Sequence, residues 1–503
     1  MLVRGDGASP STLWRPQRTL ILHVTVESIA TTIGMLPDNV LLEIFDFYRQ
    51  NFPHTLRANR ATWGWHSLVH VCQRWRLVVF ESPHRLNLQL LCTHRTPVRK
   101  YLGIWPAFPI VINYRNSGSG GITPSDEDNV VAALERRDRV CYIRLAVTDS
   151  QLGKVALAMQ GPFPMLTHLH MGSDDGNAQV VPAKFLGASA PRLQTIYLHR
   201  IPLPSLPKLL MSANDLVKLE LRRIPPTGYI PPDAMVACLA ALPKLDTFHI
   251  GFKSATSRPD RIPSPPEIRT VLPTLTSFEF KGASEYLEDL VAQIDSPQLD
   301  RTFIVYFNQL VDFQTAQLSR FIDRSIGPKL SSFGHAQVAF FSDWVTFDTY
   351  LHEEHSSSDS GTATITISCE GIDWQVSHIS QVLSYLSATV SNVIHLKLKV
   401  EPDGLHLKGM DDVEWQFLLR QCSIVKTLYV SQELAGNLAH ELDHIADDLV
   451  PEVLPSLDLI CLAGQPASSI GNFLTARKLS GLPVSVVEAT AEFTNRLDSY
   501  VSG

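Results

Sequence analysis

The residues of this chain that carry the spacing of a chemical site lie between 440 and 444, where His440-Glu441-Leu442-Asp443-His444 reads H-E-x-x-H. Two histidines one helical turn apart can bind zinc through their ring nitrogens, and the glutamate between them can activate a metal-bound water. The surrounding pattern argues against that use. Leu434, Leu438, Leu442, Ile445 and Leu449 form an apolar stripe that must face a core. At about 100° per residue, His440 and His444 then project away from it, into solvent. A zinc centre also needs a third ligand and an outer shell of hydrogen bonds, and no glycine and third histidine follow at the metzincin spacing. Asp443, Asp447 and Asp448 read as a solvated face. His352-Glu353-Glu354-His355 pairs histidines again but runs straight into a serine-rich stretch ending at Gly361, which reads as a loop. The glycine-rich run Asn116 to Gly121 lacks both the GxGxxG and the P-loop spacing, and no G-x-S-x-G elbow occurs. The expectation is no catalytic residue, no metal and no cofactor, with an H-E-x-x-H zinc hydrolase as a weak alternative.

The 503 residues are 45% hydrophobic and 18% charged, a balance that builds cores. With a formal charge of −7 and both signs interspersed, nucleic acid is not the expected partner, since binding it requires a concentrated basic face. The seven cysteines, at 72, 92, 141, 238, 369, 422 and 461, form no CxxC pair and fit buried thiols in a reducing compartment. The first apolar run, Leu20 to Val26, is short and interrupted, so no secretory pattern is read there. No stretch approaches the ~20 apolar residues of a membrane span. A soluble protein of the cytoplasm or nucleus is expected.

The elements that must position any function begin near Leu36. Residues 1–34 read as a variable or disordered extension. Leu36-Pro37-Asp38-Asn39 opens a helix, since proline suits a first turn and Asp38 or Asn39 can cap it. Val40, Leu41, Ile44, Phe45 and Tyr48 follow at helical spacing. After the polar segment 49–62, a second helix carries Leu68, Val69, Val71, Cys72, Trp75, Leu77, Val78 and Phe80 and stops near Ser82-Pro83. Its circumference is mostly apolar, so it must be buried on more than one side. A bundle this small cannot do so alone, which points to a partner.

Leu36-Pro37-Asp38-Asn39-Val40-Leu41-Leu42-Glu43-Ile44-Phe45, followed by Val71-Cys72-Gln73-Arg74-Trp75-Arg76, resembles an F-box, in particular that of fungal F-box proteins with leucine-rich repeats. Asn39 stands where an acidic residue is more usual, and residues 49–66 are longer than a minimal F-box. The resemblance implies a small helical module, residues 35–83, that docks on the linker protein Skp1 and through it on a cullin scaffold. Carried over by position, the docking candidates are Leu36, Pro37, Val40, Leu41, Ile44, Val71, Cys72 and Trp75. An ordinary helical hairpin capping the following array is the alternative.

The rest of the chain is periodic. A unit L-x-x-L-x-L begins at Val140, Leu166, Leu193, Leu216, Leu245, Leu275, Leu299 (degenerate), Leu330, Val393, Val425 and Leu457. Intervals run from 23 to 32 residues, with one gap of 63 in which Thr364-Ile365-Thr366-Ile367 stands where a further strand belongs. Each x-L-x-L is a short strand with its leucines inward, and the joining stretch is often helical, as in Asp411 to Gln421. Neither strand nor helix buries its face alone, so stacked units share one core. The pattern predicts an α/β solenoid, a leucine-rich-repeat horseshoe of the ribonuclease-inhibitor kind, over 139–480. A connecting region and first repeat or cap occupies 84–138, and a C-terminal cap 481–503. Pro-rich Arg258 to Pro273 enlarges one repeat as a loop. A doubly wound α/β enzyme predicts longer apolar strands and a glycine-rich first turn.

In this register the concave face presents Arg144, His170, Tyr197, Lys218, Glu220, Arg222, His249, Lys397 and Tyr429, with His168, His199, Glu279, Lys281 and Lys399 beside them. Such a mixed, mildly basic, aromatic-dotted surface suits a protein target. Its histidines predict some pH sensitivity of binding. With the resemblance, this implies a substrate-recognition subunit of an SCF-type ubiquitin ligase. A repeat scaffold outside any ligase is the alternative.

Overall fold

The computed structural model describes residues 33–51, 65–114, 122–173, 180–255, 268–307, 315–326, 334–350, 363–401, 413–444 and 452–487. Several sequence expectations therefore lie outside the described residues: most of the 1–34 extension, the 116–121 and 352–361 loops, Leu330, Ile445 to Leu449, and the chain beyond 487. The described residues form two compact units, divided between Leu88 and Gln89.

In the first unit, helix α1 spans Asp38–Asn51, α2 His66–Val69 and α3 Gln73–Glu81. The Pro37 carbonyl accepts from the amides of Val40 and Leu41, both at 3.0 Å, which starts α1 directly after the proline. Asp38 in the first turn suits the positive end of the helix. The continuous second helix expected from the apolar run is two helices. Between α2 and α3, Cys72 is fully extended (φ −158°, ψ 171°), and its Sγ accepts from the Trp75 amide at 3.5 Å. The thiol acts as an N-cap, and a residue in that conformation cannot continue a helix. Leu41, Phe45, Leu68, Val69, Val78 and Val79 make the core, with the Trp75 ring tilted against Phe45 at 4.7 Å. Arg74 donates to Leu36 O and, at 2.6 Å, to Asp38 Oδ1, tying the two separated motif halves together.

The second unit is built on strands β1 Leu90–Cys92, β2 Ile110–Tyr114, β3 Val140–Val147, β4 His168–Ser173, β5 Thr195–His199, β6 Lys218–Ile224 and β7 Thr247–Phe252. They continue with β8 Thr270–Val271, β9 Ser277–Gly282, β10 Ile294–Asp295, β11 Arg301–Tyr306, β12 His335–Phe340, β13 Trp344–Tyr350 and β14 Ala363–Ser368, then β15 His395–Val400, β16 Thr427–Val430, β17 Leu459–Leu462 and β18 Ser485–Val487. Among the described residues β8 and β10 pair with each other, and the other sixteen make one sheet. Its strands lie in chain order except in one place, and every pairing is parallel except two, so the unit is an α/β solenoid. It begins at β1 and runs through β18, beyond the 139–480 span expected from the clear repeats.

The repeat pattern explains this regularity. In most of the units the first apolar residue donates its amide to the carbonyl three residues earlier, as in Leu193 to Ala190, Leu216 to Ala213 and Leu457 to Leu454. That turn drives the side chain inward and starts the strand behind it. The next inward pair is buried almost completely, as with Leu219 and Leu221 or Phe248 and Ile250. Burying each such side chain contributes roughly 1.5–3 kcal/mol.

Among the described residues of 413–421, Trp415–Arg420 is helical. Leu330 lies outside the described residues, and the strand that follows it, β12, has Ala336 and Val338 in the inward positions opposite Leu396 and Leu398. Thr364 to Ile367 is a strand, but β14 does not sit between β12 and β15. It pairs with β11, β12 pairs with β15, and the unexpected β13 runs antiparallel between β14 and β12. The alternation of buried Val345, Phe347 and Thr349 with outward Thr346 and Asp348 makes β13 a strand without any preceding leucine. No helix among the described residues is long and apolar enough to cross a membrane.

Candidate functional site

Two surfaces stand out, one on each unit. On the first, Val40 and Ile44 are 37% and 39% exposed, and Phe47, in the same line at i+7, is 69% exposed. Helical spacing puts all three on one side of α1, away from the buried Leu41–Phe45 stripe. Val71 and Leu77 are also exposed, at 58% and 52%. Of the other expected docking residues, Pro37 and Cys72 are exposed and Leu36 is half-buried. Leu41 is a correction: it is fully buried and holds α1 to the module. Trp75 is half-buried against Phe45, so its ring serves the core. Phe47 and Leu77 were missed, although the i, i+4, i+7 spacing from Val40 was legible for Phe47.

On the second unit, the outward positions align across the strands. Opposite residues run Arg144, His170, Tyr197, Glu220, His249 and Glu279 from β3 to β9. The row then continues through Phe303, Thr364, Asp348, Gln337, Lys397 and Tyr429. The expected face residues are therefore brought together in one register. His170 stacks between Tyr142 and Tyr197 at 6.0 and 5.6 Å, and Lys397 lies over Tyr429 at 5.2 Å.

Glu220 and His249 are not surface residues as expected; they are 8% and 4% exposed. Glu220 accepts from Lys218 at 2.6 Å and from Arg222 at 2.9 Å. Burial opposes its ionisation, but the hydrogen bonds from Lys218 and Arg222 outweigh burial and hold its carboxyl below the usual value. Arg222 also reaches Glu279 at 3.3 Å, and the His249 Nδ1 lies against the same carboxylate. That last contact has ion-pair proximity without hydrogen-bond alignment. Burial, then the charge of Arg144, lowers His170 to about 4, and burial lowers His168 too. Both shifts favour the neutral imidazole over the charged one.

A pocket of about 420 Å³ opens on this face across β6, β7, β9, β11 and β14. Lys218, Arg222, Thr247, Ser277, Arg301 and Phe303 line it, over Glu220, His249 and Glu279. Arg301 and Phe303 were missed because their repeat, Leu299-Asp300-Arg301-Thr302-Phe303-Ile304, has threonine in place of the second leucine.

The H-E-x-x-H segment lies on the helix Gln432–His444, with Leu434, Leu438 and Leu442 buried. His440 and His444 are exposed, their rings 4.4 Å apart. Asp443 is not merely solvated: it accepts from the Asn472 amide at 2.7 Å and from Asn472 Nδ2 at 2.9 Å, in the first turn of the helix Gly471–Leu479. Among the described residues no group of three or more His, Cys, Asp or Glu side chains is placed to hold a metal ion. No disulfide joins any of the seven cysteines.

No family model and no curated protein matches the chain. Among solved structures, the chain is similar to a leucine-rich repeat-containing protein, LegL7 from Legionella pneumophila, at 12% identity over 78% of this chain and 98% of that one, with a TM-score of 0.25. The solenoid assignment accordingly rests on the strand order and register of this chain itself.

Proposed function

We propose that the chain is the substrate-recognition subunit of an SCF-type ubiquitin ligase: an F-box module docks on a Skp1-like adaptor, and the outward face of the solenoid holds a target protein. The observation that carries the reading is the line of exposed Val40, Ile44 and Phe47 on α1, with Val71 and Leu77 also exposed in the same module, whose core is already filled by Leu41 and Phe45. Apolar side chains in that density on a small helical unit mark a protein interface. In this reading no residue performs bond chemistry. Holding the target beside the ligase raises the effective concentration of activated ubiquitin at its lysines. A reducing cytoplasmic or nuclear setting suits the thiols.

The test is co-purification of the full-length chain with Skp1. Ile44→Asp and Phe47→Asp are expected to abolish it, because each buries a charge in the interface, while the melting temperature holds since both side chains are exposed. Absence of Skp1 from the wild-type preparation would leave the rival reading, a repeat scaffold outside any ligase. The adaptor-blind Ile44→Asp chain also serves to capture targets, since bound targets are then not consumed. Their loss on Tyr197→Ala or Tyr429→Ala would assign capture to the outward face.

A further inference from the structure

The charges of the outward pocket are sorted by depth. The Glu220 side chain is 11% exposed and that of Glu279 30%, whereas Lys218 and Arg222 are 46% and 38% exposed. Arg301 is exposed as well. The carboxylates lie beneath and the cations above, so what the pocket presents to an arriving molecule is positive, although the whole chain carries −7. Glu220 and Glu279 hold Arg222 from both sides, which fixes its guanidinium before any partner binds and lowers the ordering cost of contact.

The cations also have a spacing. Lys218, Thr247, Ser277 and Arg301 are successive partners across β6, β7, β9 and β11. Two small hydroxyl residues thus separate a lysine from an arginine three strand steps away, about 14 Å at ~4.8 Å per step. In an extended peptide, side chains at i and i+4 point to the same side and stand about 13–14 Å apart at ~3.4 Å per residue. Phe303, 37% exposed at the next level, adds an apolar wall.

We propose that this pocket binds an extended acidic segment of the target protein, laid across the strands, with carboxylates four residues apart engaging Lys218 and Arg301, while Arg222, four residues along β6 from Lys218, adds a cation on the far side of the Glu220–His249–Glu279 row. The inference rests on the reading of the outward face as the target surface, and it adds the chemistry of the segment recognised.

Fluorescence anisotropy with the full-length chain tests it, using a labelled peptide with glutamates at i and i+4 in a valine–serine background. Its comparators are the same peptide with glutamines and one with the glutamates two residues apart. The i/i+4 glutamate peptide is expected to bind tightest. Lys218→Gln and Arg301→Gln should each weaken it about tenfold, as loss of an interfacial charge contact does. Both side chains are exposed, and unchanged thermal melts verify the fold. Binding should also weaken with added salt. Equal affinity for the glutamine peptide, or indifference to both substitutions, would overturn the acidic assignment; if Phe303→Ala or Tyr197→Ala still abolished that binding, the face would remain a docking surface. Failure of every peptide to bind would overturn the pocket's assignment too, with the target-capture experiment then deciding the face independently.

Discussion

Glu220 and His170 lie two strands apart on the same face and behave oppositely: burial works against the charged form of both, but at Glu220 the hydrogen bonds from Lys218 and Arg222 outweigh it, whereas at His170 the charge of Arg144 adds to it. The histidine's folded value of about 4 lies below its ordinary 6.5, so the unfolded chain binds the extra proton between the two. Its contribution is therefore present above that window and lost as pH falls through it. Glu288 works the other way. It accepts from the amides of Gln317 and Leu318 at 2.7 and 2.8 Å, yet burial pushes it up to about 7 from 4.5. Stability from this group is complete below 4.5 and falls as pH rises toward 7. Glu288→Gln should thus match the wild type in unfolding free energy from urea titration below pH 4.5 and exceed it above pH 7, by at most about 3 kcal/mol. A variant less stable than wild type above pH 7 would refute this assignment. Legibility at this scale was partial. The alternation of the repeats placed Arg144, Tyr197 and Lys218 outward, but nothing in the sequence marks Glu220 as roofed over by its own neighbours on β6. That depends on side chains two positions away in the same strand folding back across it.

The elements show why some patterns could be read and others could not. A leucine that closes a turn and then leads a strand is a local device, so each well-formed unit declared itself. Leu219→Ala, which removes a fully buried inward residue, should cost about 3 kcal/mol in equilibrium denaturation. The break between α2 and α3 was illegible because apolar spacing continues through it. Only the extended backbone of Cys72 stops the helix, and sulfur is a weak acceptor for the purpose. Serine caps better than a thiol, so Cys72→Ser should raise the melting temperature of the module, with a gain of about 0.5–1 kcal/mol. A lowered melting temperature would show that the Sγ contact is not the cap. The strand β13 escaped notice for a different reason: it alternates correctly, but it reverses direction and has no leucine unit ahead of it.

Across the whole molecule, charge is not spread as the composition implies. A chain of net −7 keeps its cations uppermost in the pocket between β6 and β14, so electrostatic attraction there opposes the field of the rest. Encounter with an acidic partner should then slow with ionic strength, whereas the proposed docking on Skp1 through the apolar Val40, Ile44 and Phe47 should barely change in rate. Stopped-flow rates across a salt series separate the two. The sheet also has one place where neighbours in space are not neighbours in sequence. Phe278 pairs with Thr302 one repeat on, but Thr302 then pairs with Ala363, and His335 with His395. Unzipping from either terminus can proceed unit by unit until it meets β14 or β12, where the next strand to leave is held by chain that has not yet been reached. Under tension applied at the two ends, this crossed stretch would give way as one block, a single large rip in a force–extension trace flanked by smaller steps. The array is thus knit around a central clasp, and damage to one arm stops there before it spreads to the other.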